Sequence, residues 1–182
     1  MVINPVKTGG PAGQIGVSAC PGKSGDLLSP PARRHLLERD IQAVKEWRAH
    51  ALVSALEDEE LKIFGVEDVG ATATRAGIWW FRVPLKQQTS PDNRFWNAWP
   101  HTAPALLDIL RRGQRVVVHS SDQHGRAGLV TCCLLVELGV QPVAALAALR
   151  NALGDPTVSP AQELFVREYL PRFSEHTRLR SP

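Results

Sequence analysis

One stretch of the chain limits the possible folds more than any other. An apolar run at 115–119 is followed by a polar loop and then by a strongly apolar segment at 128–138. A nearly uninterrupted apolar run is typical of a strand buried on both faces of a parallel sheet, and the later segment is long enough for a buried helix. We therefore expect an α/β protein in which a strand, a loop and a helix follow one another directly.

The rest of the chain alternates predicted helices with predicted strands. Its 182 residues, 43% of them hydrophobic, suffice for one core. Strands separated by helices predict an α/β three-layer sandwich with a central, mostly parallel sheet. The helix predicted at 91–112 contains Pro100 and Pro104, which are expected to kink or split it. The other strands are predicted at 15–19, 51–56 and 78–83, and the other helices at 33–47, 57–64, 142–153 and 160–172.

Composition and charge exclude several functional classes. The net charge is only +3 and the basic residues form no stripe, so nucleic-acid binding is not expected. No apolar run reaches the about 18 to 20 residues of a membrane span. Three cysteines, Cys20, Cys132 and Cys133, fit neither a disulfide framework nor a zinc site. We expect a monomeric cytoplasmic protein without metal or cofactor. A loop-rich segment at 1–31, which contains the first strand, and the remainder at 32–173 are expected to form one domain. A polar tail follows at 174–182.

The loop between the buried strand and the buried helix carries the candidate site. A loop in this place directs backbone N–H groups and the positive end of the helix at one point, which makes an anion cradle. Arg126 would add a bidentate guanidinium contact beside the backbone of Gln123 and Gly125. The same residues also fit a polar turn in which Ser120 or Ser121 caps the helix and Arg126 pairs with an acid. The residues of the loop do not by themselves distinguish the anion cradle from the polar turn.

Motifs on both sides of the loop point to one enzyme family. They are Pro21-Gly22 after the first strand, Trp47 at a helix end, the run 56–61, Val83-Pro84-Leu85, and the runs 125–130 and 134–139. With these motifs the chain resembles the cysteine-dependent dual-specificity phosphatases from about 15 to 169, most of all the kinase-associated (cyclin-dependent kinase inhibitor type) branch and its bacterial relatives. The resemblance implies the phosphatase fold, a phosphate-type ligand, and a structural role for His119 in orienting the loop.

The residues that carry the chemistry of that family are replaced in this sequence. The family motif is His-Cys, five residues and then Arg, with glycines inside the loop. Here Ser120 stands at the cysteine position, and Asp122 and Gln123 stand at common glycine positions. The family's general acid, an aspartate in a second loop, corresponds to Gln87, which follows Lys86. The resemblance therefore implies a phosphatase scaffold that lacks both the nucleophile and the acid.

These replacements predict an inactive or weak phosphatase. A cysteine in such a loop has its pKa lowered from about 8.5 to roughly 3.5–7.5, so it is largely ionised at neutral pH. A serine hydroxyl does not ionise in the same environment and needs an adjacent base. Loss of the general acid costs a further factor of about 10² to 10⁴ in rate. The loop from Ser120 to Arg126 is expected to bind a phosphate-like or carboxylate-like anion without efficient hydrolysis.

A second interpretation gives the loop a different chemistry. Ser120 or Ser121, Asp122 and His124 lie within five residues, and a serine, a histidine and an acid are the parts of an activated hydroxyl nucleophile. Such a loop would cleave a small ester, with loop amides stabilising the oxyanion. So many replacements concentrated on an otherwise ordinary scaffold also suggest an engineered serine hydrolase.

Two further hypotheses use residues outside the loop. Lys86 could act as a base or an amine nucleophile if it faces a pocket lined by Trp79 or Phe81. A third interpretation is a non-catalytic interaction domain with an exposed aromatic surface on the helix predicted at 91–112, although aromatic residues at helical spacing usually lie in the core. The residues of that surface would be Phe95, Trp96 and Trp99.

Overall fold

A five-stranded sheet with helices on both faces forms the part of the chain that the structure describes. The computed structural model describes residues 1–9, 13–23, 29–122, 124–155 and 157–173. The strands are β1 (Ile3–Val6), β2 (Gln14–Ala19), β3 (Ala49–Ser54), β4 (Trp79–Arg82) and β5 (Arg115–Ser120). The helices are α1 (Pro30–Glu46), α2 (Asp58–Ile63), α3 (Val69–Arg75), α4 (Asn93–Arg111), α5 (Arg126–Glu137), α6 (Pro142–Leu153) and α7 (Pro160–Glu168).

The strand before the loop lies at the centre of the sheet. In the order β1-β2-β5-β3-β4, strand β5 pairs in parallel with both β2 and β3. Strand β4 is parallel to β3, whereas β1 is antiparallel to β2 at the opposite edge. The expected mostly parallel sheet with a doubly buried central strand is confirmed.

The two faces of the sheet are covered by different helices. Val116 and Val118 of β5 pack into the core that α4, α5, α6 and α7 cover. Val117 packs into the second core, with residues of α1, α2 and α3. Successive residues of a strand point to opposite faces, so each valine of this run is buried in one of the two cores. This arrangement is the predicted three-layer sandwich.

Helix α4 runs without interruption through Pro100 and Pro104. The prediction that these prolines would split it is wrong. Each proline removes one backbone hydrogen bond, but the helix buries Phe95 and Trp99 completely, with stacked rings whose centroids are 5.1 Å apart. Trp96 is partly buried and stacks on the core residue Tyr169. These aromatic residues stabilise the core, and the exposed aromatic surface that the interaction hypothesis required is not formed.

Two elements have no counterpart among the predicted ones. Strand β1 contains Pro5, and a proline is tolerated there because β1 is an edge strand. Helix α3 contains Gly70, a residue that lowers helix propensity. A Cβ at Gly70 would lie 2.2 Å from Cε3 of Trp80, so only glycine allows the helix to approach this ring. The edge position in β1 and the contact with Trp80 in α3 make a locally unfavourable residue acceptable.

The three cysteines are buried free thiols. Cys132 and Cys133 lie in α5 and are fully buried. Burial raises the pKa of Cys20 and of Cys132 to about 12, and it also raises the pKa of Cys133. These side chains therefore act as small apolar groups.

The polar tail predicted at 174–182 and Gln123 of the loop lie outside the described residues. Across the described ranges, no helix is long and apolar enough to cross a membrane.

Candidate functional site

A pocket of about 370 Å³ lies over the loop that follows β5. The loop is at the carboxyl edge of the sheet, where ligands of open α/β sheets commonly bind. Its walls come from the loop itself, from the second loop after β4, and from the segment that leads into α7. The polar lining residues include Gln87, Ser121, Asp122, His124, Thr157 and Gln162.

Ser120, which the resemblance aligns with the family's cysteine, is fully buried beneath the loop. Its Oγ lies 2.7 Å from the backbone oxygen of Asp122 and 3.2 Å from that of His124. It also accepts a hydrogen bond of 3.4 Å from the N–H of Ala127. A hydroxyl placed between two carbonyl oxygens donates its proton to one of them. The backbone around this serine is therefore arranged to accept a proton from a neutral hydroxyl.

The serine, histidine and aspartate of the loop do not form a relay in this structure. The carboxylate of Asp122 accepts a hydrogen bond of 2.9 Å from the backbone N–H of His124, not from its ring. Nδ1 of His124 is buried and has no hydrogen-bond partner among the described residues. Ser121 Oγ accepts a bond of 3.1 Å from Arg126. Neither serine thus meets the imidazole that would have to activate it.

Arg126 is almost completely buried and pairs with an acid. Its two terminal nitrogens donate to the two carboxylate oxygens of Glu60, one of them at 2.8 Å. They also donate to the backbone oxygen of Leu85 at 3.0 Å and to Ser121 Oγ. All four terminal N–H groups therefore have acceptors within the protein. Of the two interpretations open for Arg126, the structure shows the ion pair.

The pairing also affects Glu60. Partial burial by itself would raise the pKa of this carboxyl. Hydrogen bonds from Arg126 and from the N–H of Glu57, together with the Arg126 charge, outweigh burial and hold the pKa of Glu60 below its usual value. Glu60 thus carries a negative charge at neutral pH and holds the guanidinium at the base of the loop.

Backbone amides of the loop also have acceptors within the protein. The N–H of His124 donates to Asp122, and the N–H of Gly125 donates to the backbone oxygen of Thr157 at 2.7 Å. The N–H of Ala127 donates to Ser120. The predicted amide contribution of Gln123 lies outside the described residues. An anion cradle made of these three amides is therefore not open in this structure.

Two side chains that line the pocket from outside the loop have hydrogen-bond donors without partners among the described residues. Gln162 is fully buried, and its Oε1 accepts a bond of 3.0 Å from the N–H of Ser159. That bond fixes the orientation of the amide and leaves Nε2 as a buried donor without a partner in the described part of the chain, in a residue that lines the pocket. The buried hydroxyl of Thr157 also has none there. The capping-box spacing of Ser159 and Gln162 could have predicted this glutamine near the start of a helix, but not its place at the pocket.

The second loop places only one of its two candidate residues at the pocket. Gln87 lines the pocket, at the position where the resemblance implies a general acid, and its amide has no proton to donate to a leaving group at neutral pH. Lys86 is exposed and does not line the pocket. Trp79 and Phe81 line a separate cavity at the other end of the sheet. The hypothesis that Lys86 faces these aromatic residues is therefore wrong.

His119 forms a buried hydrogen-bond network beneath the loop. Its Nε2 is 2.6 Å from Ser54 Oγ, and this oxygen accepts a bond of 2.8 Å from Nε1 of Trp80. Burial, with a smaller contribution from the positive charge of Arg126, lowers the pKa of His119 to about 3. The imidazole is neutral at physiological pH and connects β5 to β3 and β4.

The low pKa of His119 predicts a loss of stability in mild acid. Between pH 7 and pH 5 an unfolded chain protonates this histidine and the folded chain does not, so the free energy of unfolding should fall by about 2 kcal/mol. Urea unfolding as a function of pH measures the effect. His119→Gln should remove most of this slope, whereas the same change at the exposed His35 should leave it. An equal slope in His119→Gln would show that the imidazole is not responsible.

Comparison with known proteins identifies the fold. The kinase-associated phosphatase, in a form with its catalytic-site cysteine substituted by serine, superimposes with a TM-score of 0.78 over 100% of this chain and 98% of that chain, at 18% identity. The chain has the fold of the dual-specificity phosphatases. PTPMT1 gives a TM-score of 0.66 at 15% identity over 98% of each chain. Tk-PTP in its active form gives 0.62 at 17% identity over 100% of each.

Another neighbour of the same fold contains a ligand. TpbA of P. aeruginosa, in complex with phosphotyrosine, superimposes with a TM-score of 0.53 at 16% identity, over 98% of this chain and 93% of that chain. No protein-family model and no curated protein sequence matches the chain. At these identities the likeness concerns the fold, and the function has to be argued from the pocket.

Proposed function

We propose that this chain is a phosphatase-fold protein that binds a phosphate-type anion over the loop and does not hydrolyse phosphate monoesters efficiently. One observation carries the proposal: donors without partners and a hydroxyl that cannot act as a nucleophile occur at the same site. Gln162, Thr157 and His124 line one pocket and each has a buried polar atom without a partner among the described residues, while Ser120 directs its proton to backbone oxygens. The site thus suits binding without turnover.

The binding half of the proposal rests on the cost of unpartnered donors. A buried polar group without a hydrogen bond costs about 1 to 3 kcal/mol, and a ligand oxygen removes that cost. Gln162 and Thr157 lie beside the N-terminus of the 12-residue helix α5, whose backbone dipole favours negative charge. Phosphotyrosine bound to TpbA is an example of such an anion on a neighbouring structure.

The loss of hydrolysis rests on the two replaced catalytic positions. Ser120 has no base within hydrogen-bond reach among the described residues, and Gln87 cannot protonate a leaving group. One loss concerns the attacking group and the other the leaving group of the same displacement, and each raises the barrier to hydrolysis. We infer that phosphate esters bound in the pocket are retained intact.

Calorimetric titration with tungstate and with inorganic phosphate tests binding. Gln162→Glu keeps the acceptor that caps α7 and replaces the free donor by a negative charge, so anion affinity should fall by a factor of about 10 or more. Gln141→Glu makes the same change at the N-terminus of α6, outside the pocket, and should leave affinity unchanged. The proposal is contradicted if the wild-type protein binds neither anion, or if both variants behave alike.

Turnover of p-nitrophenyl phosphate and of p-nitrophenyl acetate tests the proposed lack of efficient hydrolysis. We expect neither to exceed the rate in buffer. Ester turnover that is abolished by Ser120→Ala or Ser121→Ala, and also by His124→Ala, would instead establish a serine hydrolase. Phosphate turnover by the wild-type protein would contradict the proposal directly.

A further inference from the structure

The rim of the pocket, formed by Gln87, Gln88 and Asp122, carries both hydrogen-bond donors and acceptors. Gln87 and Gln88 are exposed there, and their side-chain amides make no hydrogen bond within the described residues. The carboxylate of Asp122 is also exposed at the rim. Amides both donate and accept, and a carboxylate accepts only. The rim therefore offers acceptors as well as donors, whereas Gln162 and Thr157, which line the same pocket, are buried and hold donors without partners among the described residues.

The lining argues against an aromatic ligand. Among the described lining residues there is no Phe, Tyr or Trp. An aryl group gains much of its affinity from contact with such rings, which this pocket would not supply. The volume of about 370 Å³ is that of a site for a small molecule.

Asp122 decides between a simple anion and a larger ligand. Its carboxylate repels any negative group that enters the pocket, so it weakens the binding of bare phosphate. One of its oxygens accepts from the N–H of His124, which fixes the carboxylate in place. A ligand that carries hydroxyl groups next to its phosphate would donate to this carboxylate and to the rim amides. Asp122 would then favour that ligand over an anion without hydroxyls.

We propose that the pocket binds a phosphorylated polyol, which is a sugar phosphate or an inositol phosphate. This inference rests on the proposed function, because it assigns the phosphate to the donors of Gln162 and Thr157. It adds that the hydroxyl groups of the ligand are held by Asp122, Gln87 and Gln88. Asp122 is thus the residue that determines specificity.

Calorimetry with four phosphates and one neutral sugar tests the inference. Glucose 6-phosphate or myo-inositol 1-phosphate should bind about tenfold more tightly than inorganic phosphate, since two or more added hydrogen bonds supply that factor. Phenyl phosphate should bind no more tightly than inorganic phosphate. Glucose should bind far more weakly than its phosphate. The comparison of the two polyol phosphates distinguishes a sugar ring from an inositol ring.

One substitution is expected to raise the affinity for inorganic phosphate and to lower the ratio of the two affinities. Asp122→Asn removes the negative charge with little change of size, so inorganic phosphate should bind more tightly. The advantage of the polyol phosphate over inorganic phosphate should shrink, because a strong hydroxyl acceptor is lost. Asp108→Asn is the matched control, since Asp108 is exposed and lies outside this pocket. It should change neither affinity.

The outcomes separate the two proposals. If phenyl phosphate binds more tightly than both polyol phosphates, or if these bind no better than inorganic phosphate, the inference is overturned and the proposed function stands. If Asp122→Asn leaves the ratio of affinities unchanged, Asp122 is not the specificity residue and the inference also fails. If no phosphate compound binds, the proposed function fails and the inference with it.

Discussion

Replacing Arg126 by alanine is expected to lower the free energy of unfolding by about 3 kcal/mol, because it leaves the Glu60 carboxylate without its partner. Arg126 is 2% exposed and has acceptors for all its terminal N–H groups. The Glu60 side chain is 20% exposed and keeps some contact with water, so the low end of the range for broken buried ion pairs applies. Equilibrium unfolding in urea at pH 7 measures the loss.

A second ion pair made by helix α2, which also carries Glu60, provides the control. Arg82 pairs with Asp58 of α2, and Asp58 is 61% exposed, so Arg82→Ala should cost less than about 1 kcal/mol. In the double variant Arg126→Ala with Glu60→Ala, the loss should be smaller than the sum of the two single losses by about 1 to 3 kcal/mol. Equal losses for Arg126→Ala and Arg82→Ala would show that burial of the guanidinium adds nothing.

Acid should reduce the contribution of the Arg126 pair. The pKa of Glu60 is lower in the folded protein than in the unfolded chain, where it is about 4.3. The stabilisation from the pair is therefore present above pH 4.3 and is lost as the pH falls through the lower, folded value. The difference in the free energy of unfolding between wild type and Arg126→Ala should therefore decrease as the pH falls from 4.3 through the folded pKa of Glu60.

Placing a cysteine at position 120 is by itself expected to leave the protein without phosphatase activity. In Ser120→Cys the new thiol would lie beside the backbone oxygens of Asp122 and His124, which stabilise a protonated group and oppose a thiolate. We expect its pKa to stay at or above about 8.5, rather than in the range of a reactive cysteine. Because Gln87 cannot donate a proton as a general acid does, the rate of turnover should be lower by a further factor of about 10² to 10⁴.

Alkylation by iodoacetamide as a function of pH measures the pKa of the new thiol. Cys20 and Cys132 do not interfere, because burial raises the pKa of each to about 12. Turnover of p-nitrophenyl phosphate is measured on the same variant and on Ser120→Cys with Gln87→Asp, which restores an acid. A thiol that ionises below pH 7, together with turnover in the second variant, would show that the loop still forms a thiolate cradle.

Much of the fold follows from local patterns. The valine run of β5 and the apolar segment of α5 are recognisable because burial on one or both faces leaves a periodic signal in the sequence. Strand β1 and helix α3 escape prediction because Pro5 and Gly70 are unfavourable locally and acceptable only through edge position and contact with Trp80. Helix α4 continues past its prolines for a similar reason, since packing outweighs the lost hydrogen bonds.

Less of the candidate site could be predicted. Its position after β5 follows from the sequence, and the resemblance points to Ser120 and Gln87 as the residues at the family's catalytic positions. The contacts of Arg126 do not, because Glu60 lies 66 positions away along the chain. The free donors of Thr157 and Gln162 come from a segment that reaches the loop only through the packing of α5, α6 and α7.

By itself the sequence determined the class of the scaffold, the place of the loop and the absence of a cysteine from it. These properties depend on residue identity and on periodic burial, which are local. The tertiary structure alone decided which groups of the loop are already satisfied and which remain available to a ligand. That distinction depends on side chains from distant segments meeting at hydrogen-bond distance, and a difference of less than 1 Å separates a bound donor from a free one.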